Sequence, residues 1–165
     1  MSVKSFLSAL VCASPLLMAL PALAVEKPVD FVTKAGQGGM LEIKLGKLAL
    51  TKSKNPEILQ FAKQMIADHT VADAELKKTA AISHIKVAKK LDKSHQDKLN
   101  HLSKETDQFD KDYVSFMADD HKDAVALFDD FAKNGEESHL KTFAGETLPT
   151  LIKHKDMVDA IKAKM

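Results

Sequence analysis

Residues 64–76 read QMIADHTVADAEL and residues 116–128 read FMADDHKDAVALF. The segments share a pattern, with Met65 aligned to Met117, Asp68 to Asp120 and His69 to His121. Thioether and imidazole are soft and borderline metal ligands, and a spacing of four residues puts them on one helix face. The rest of that face is apolar. Around His69 it holds Ile58, Phe61, Ala62, Ala72 and Leu76, and around His121 it holds Phe109, Tyr113, Ala124, Leu127 and Phe128. Both histidines therefore fall on stripes expected to be buried. Two more ionisable residues do the same: Glu42 ahead of Leu45, Leu48 and Ala49, and His154 between Leu151 and Val158.

Burying an unpaired ionisable group costs several kcal/mol, so such groups occur paired or bound to metal. Glu42, His69, His121 and His154, converging from four helices, form a ligand set suited to a divalent transition ion. Met65 and Met117 would add soft ligands that favour copper(I), so the expected ion is copper, zinc or iron. Asp68 and Asp120 each stand directly before a histidine, as outer partners, further ligands or solvated residues. The same residues also describe a metal-free, hydrogen-bonded polar cluster, with the methionines as core filler. Tyr113 shares the face of His121, eight residues before it, and reads as a core tyrosine with a satisfied hydroxyl. His84, His95, His101 and His139 fall in or near links and read as solvent-exposed.

The elements that position these residues are helices throughout. Apolar residues recur at intervals of three and four, and alternating strand patterns are absent. A first helix opens at Pro28 and runs to about Ser53 through a soft spot at Gly36-Gln37-Gly38-Gly39. That glycine segment follows no strand and fails as a nucleotide loop. Asn55-Pro56-Glu57 supplies a cap, a first-turn proline and an acid at the helix dipole for a second helix reaching about Ser83. A lysine-rich stretch, 84–104, forms a long connection with a short helix over Ser94–Leu102. A third helix spans about Glu105 to Lys133, stopped by Asn134-Gly135, and a fourth about Glu137 to Lys164, kinked or bulged at Pro149. Two short links and one long connection predict an all-α, ferritin-like antiparallel four-helix bundle, with an up-down-up-down bundle as the alternative. At about 1.5 Å rise per residue, Glu42 and His69 lie about 18 and 22 Å from the first link. His121 and His154 lie about 21 and 28 Å from the second, so all four fit near one layer.

The first 24 residues read as a secretory leader: Lys4, an apolar run from Phe6 to Leu20, and an A-x-A pattern ending at Ala24. Residues 25–165 then form one domain, exported to the periplasm or secreted. Cys12, the single cysteine, leaves with the leader, which excludes disulfides and thiolate ligands. Acidic and basic residues then balance, and every basic residue other than histidine is lysine. Without arginine, the usual reader of phosphates and bases, nucleic acid is not an expected partner. No later segment is long and apolar enough to span a membrane.

The run FVTKAGQGGMLEIKLGKLAL followed by NPEILQFAKQMIADH, and later DYVSFMADDHKDAVALF with LPTLIKH, resembles bacterial exported proteins grouped as domain of unknown function 4142. The resemblance spans about residues 29–160. It implies a ferritin-like bundle, a periplasmic or outer-membrane association and no settled activity, and it places recurrent polar positions at Glu42, Asp68, His69, His121 and His154. The wider ferritin-like superfamily holds two irons with Glu-x-x-His motifs. Here Ile66 and Leu151 stand where those glutamates belong, which argues against a carboxylate-bridged di-iron oxidase. Three readings follow: a metal-binding bundle that buffers or sequesters a transition ion, a metal-free interaction or stress-tolerance module, and a redox enzyme at a metal site.

Overall fold

The computed structural model describes residues 26–165, so the expected leader, residues 1–24, lies outside the described residues. Five helices and no strand occur among the described residues: α1 Pro28–Lys52, α2 Pro56–Ile82, α3 Lys93–Lys104, α4 Phe109–Asn134 and α5 Ser138–Lys162.

Local chemistry sets most of the boundaries. Asn55 caps α2 by accepting from the Glu57 N–H at 2.9 Å, and Pro56 occupies the first turn. The far end of α2 closes on His84, whose φ of 57° lies in the left-handed region. The Ile85 N–H reaches the Ala80 carbonyl at 2.8 Å and the His84 N–H reaches that of Ala81 at 3.1 Å, the paired bonds of a Schellman ending. Gly135 follows α4, where an added Cβ would lie 2.6 Å from the Phe131 carbonyl oxygen. Pro149 sits inside α5, which runs through it as one helix. The carbonyl that loses its donor belongs to Gly145, an exposed residue that water can serve.

One boundary departs from the sequence expectation. Helix α4 begins at Phe109 rather than near Glu105, because Glu105 ends α3 in an extended conformation (φ −64°, ψ 138°). Lys52 donates to its carbonyl at 2.6 Å and ties that corner to the end of α1.

The four long helices pack as a ring. Helix α1 lies against α2 and α4, and α5 lies against the same two, so α2 and α4 are the diagonal pair. That order follows from the connection between them. It runs the length of the bundle, with Ile85 and Val87 against one apolar cluster and Leu91, Leu99 and Leu102 against the other. An up-down-up-down bundle would place α2 and α4 side by side. The observed order is the ferritin-like one. Gln37, buried in α1, clips the crossover: its amide nitrogen donates to the Lys90 carbonyl at 3.1 Å, and its oxygen accepts from the Asp92 N–H at 2.9 Å.

Two apolar clusters fill the interior. One gathers Leu45, Phe61, Met65, Tyr113, Met117 and Val158, and the other Phe31, Leu76, Phe128, Phe131, Phe143 and Leu151. Each large apolar side chain buried there contributes roughly 1.5–3 kcal/mol. Along α1, α2, α4 and α5 in turn, the residue falling between the clusters is Glu42, His69, His121 or His154. All four are buried.

Candidate metal centre

Each helix supplies its polar residue from the stripe that packing turns inward, so the four meet where the clusters leave a layer between them. The imidazole centroids of His69, His121 and His154 form a near-equilateral triangle, 5.3–5.8 Å on a side. One ring nitrogen from each lies within 4.8 Å of the others.

The hydrogen bonds fix how these rings are held. His69 Nδ1 lies 3.0 Å from Glu42 Oε2. His121 Nδ1 donates to the Met117 carbonyl at 3.0 Å, and the other Glu42 oxygen lies 3.3 Å from the same nitrogen. His154 Nε2 donates to Asp68 Oδ2 at 2.8 Å, and Gln64 Nε2 holds that oxygen from the other side at 2.6 Å. Every one of these acceptors takes a proton from a ring nitrogen, which leaves the opposite nitrogen of a neutral imidazole as a bare lone pair. Those opposite nitrogens are His69 Nε2, His121 Nε2 and His154 Nδ1, and all three are buried with no hydrogen-bond partner. Imidazoles that bind metal are held in this manner, by a carboxylate or carbonyl on the second nitrogen.

Charge in the layer is unevenly distributed. Burial works against ionisation of Glu42, yet His69 and His121 beside it bring its carboxyl down to about 2. Burial and then the Glu42 charge push Asp120 up to about 7, so a protonated Asp120 can donate to its neighbour. Burial lowers His154 to about 4, and it lowers His121 as well. For His69 burial is outweighed by the Glu42 charge, and the ring is raised above its ordinary value.

The remaining sequence candidates take varied places. Asp68 supports His154 across the α2–α5 interface rather than its chain neighbour His69, and keeps about 30% of its side chain exposed. Met65 and Met117 are wholly buried in the apolar cluster, and Met117 serves the layer through its backbone carbonyl. Tyr113 is fully buried with its hydroxyl unpartnered, contrary to the expectation that it would be satisfied. His84, His101 and His139 are exposed as expected, whereas His95 is half-buried against Asp92. Sequence reading missed Gln64 and Gln37. The first stands one turn before Asp68, a spacing at which glutamine and aspartate pair on a helix; nothing local marks the second.

No helix among the described residues is long and apolar enough to cross a membrane. A comparison with curated proteins gives no significant match. Among solved structures, the crystal structure of a DUF305 fragment from Deinococcus radiodurans is similar in fold, with a TM-score of 0.69 at 15% identity. The match covers 88% of this chain and all of that one. The family model described as domain of unknown function (DUF4142) matches residues 15–161, and the chain belongs to that family.

Proposed function

We propose that this bundle binds a transition-metal ion on His69, His121 and His154, and that it buffers or sequesters that ion in the cell envelope. Two observations carry the reading: three buried imidazoles bring one ring nitrogen each within 4.8 Å of the others, and each ring has one nitrogen beside an acceptor and one buried with no partner. Three neutral imidazoles suit zinc, copper or iron and leave a fourth position for water or another ligand. A tetrahedral ion with metal–nitrogen bonds of about 2.0–2.1 Å needs the nitrogens about 3.4 Å apart. The group of nitrogens within 4.8 Å would have to close to that spacing around an ion. Glu42 and Asp68 then act as supports that orient His69 and His154 and raise their basicity. The envelope location rests on the leader-like N-terminus.

The test is elemental analysis of protein recovered from the periplasmic fraction without chelator, beside a His69→Ala/His121→Ala variant. Near-stoichiometric metal that disappears in the folded variant is the expected result, with an N-terminus at Val25. Absence of metal in both, with reconstitution failing for copper, zinc and iron, would leave the cluster a packing device.

A further inference from the structure

The layer of histidines is bordered on its Phe128 side by a cavity of about 310 Å³. All four long helices wall it, with Leu76, Leu127, Phe128 and Phe143 forming an apolar floor and Glu42 and Asp120 at the polar end. Its volume is about twice that of the roughly 150 Å³ apolar cavity known to hold benzene. A ring with a short side chain fits.

Two glycines keep the α1 wall low. A Cβ at Gly38 would meet nothing within 4 Å, and one at Gly39 would sit 3.6 Å from His69 Nδ1. Neither glycine is demanded by a close neighbour or a positive φ, although each weakens a helix interior by about 1 kcal/mol relative to alanine. Their presence leaves the cavity open beside Glu42.

Four carboxyl groups line the space, together with Lys34, His69 and His95. Glu42 Oε1 is buried without a well-formed hydrogen bond, since His121 Nδ1, 3.3 Å away, is bonded to the Met117 carbonyl, and the Glu42 side chain lines the cavity. Asp120 stands beside it, and Asp123 and Asp73, the latter already bonded to Lys77, lie toward the rim. Of the lysines only Lys34 reaches the lining, and its ammonium is already bonded to Glu26 at 2.8 Å.

We propose that this cavity is a binding site for a small primary amine with an apolar body, such as an arylalkylamine. The ammonium would pair with the Glu42 carboxylate and lie beside Asp120, while the apolar body covers Leu76, Leu127 and the two phenylalanines. An ammonium is the head group that pairs with a buried carboxylate, whereas a carboxylate head would meet the like charge of Glu42. The proposal does not require an ion on the histidine triad.

Ligand-detected NMR titration of the full chain with 2-phenylethylamine, 2-phenylethanol and 3-phenylpropanoate tests it, with and without chelator. The amine is expected to bind at least about tenfold more tightly than either analogue, the least that a charge-assisted hydrogen bond contributes. Glu42→Gln should erase that preference while leaving the alcohol within about twofold. Ala124→Phe, which fills the cavity from α4, should abolish binding of all three, and it serves alone if the Glu42 variant fails to fold. Equal binding of the three ligands, tighter binding of the carboxylate, no binding of the amine, or amine binding that survives Ala124→Phe overturns the proposal. Amine binding that persists in chelator, whatever the elemental analysis gives, separates this site from the metal reading.

Discussion

Two carboxylate–histidine pairs hold the centre, and they differ in enclosure and in the charges around them. Glu42 and His69 are almost wholly enclosed, with 3% and 7% of their side chains exposed, whereas Asp68 leaves 30% of its side chain in solvent behind a buried His154. The geometry is otherwise alike, with a carboxylate oxygen about 3 Å from a ring nitrogen. Yet His69 is raised above its ordinary pKa and His154 is lowered to about 4. Water screens Asp68, and His69 and His121 oppose a proton on His154, whereas Glu42, aided by Asp120 and Asp68, overcomes the desolvation of His69. A hydrogen bond alone does not decide the charge of a histidine; the screening of its partner and the other charges around the ring do.

The strongest way to break the comparison is to remove the enclosed partner. Glu42→Ala should destabilise the metal-free protein by about 3–5 kcal/mol, because His69 and Asp120 are left buried without their counterpart. Urea unfolding followed by circular dichroism measures it, and a loss under about 1 kcal/mol would make the two pairs equivalent. Asp68→Asn acts on the exposed pair. Its stability cost should stay within about 1 kcal/mol, while affinity for the ion falls about 10–100-fold through loss of the support on His154. Competition against a chelator reads that change, and equal loss of stability in the two variants would contradict the account.

Titration sharpens the same contrast at smaller cost to the protein. In metal-free protein, imidazole NMR shifts should place the His154 midpoint near 4 and that of His69 above 6.5. The signs of the stability effects are then opposite. The depressed value of His154 gives a contribution present above its unfolded pKa near 6.5 and lost as pH falls through about 4. The raised value of His69 gives one fully present below 6.5 and lost as pH rises through its folded value. His154→Gln should therefore flatten the acid limb of the stability profile, and an unchanged limb would show that another group sets it.

Much of this architecture was readable from residue order. Asn55-Pro56-Glu57 marked the start of α2, Gly135 the end of α4, and the apolar stripes put one ionisable residue of each long helix inside. Periodicity fixes a face but not a rotamer, so it left open which ring each carboxylate would meet. Adjacency in the chain leaves Asp68 an outer partner, a ligand or a solvated residue; the ring order of the helices places it against His154, part of its side chain still in solvent. The start of α4 was missed because Glu105–Gln108 carries no strong breaker, and a carbonyl contact with distant Lys52 helps hold the corner. Gly38 and Gly39 read as a soft spot in α1, whereas in the fold they keep a wall low.

The long crossover has a consequence for how the molecule assembles. Helices α1 and α2 form one hairpin and α4 and α5 another, each closed by a short link and able to form through local contacts. Meeting of the two requires closure of the whole 83–108 connection, so docking is the slower event. His69 belongs to the first hairpin, and His121 and His154 to the second. The complete triad therefore exists only after docking. An ion bound to it would hold back separation of the halves more than it would hasten their meeting, so its kinetic signature is slower unfolding at a nearly constant folding rate.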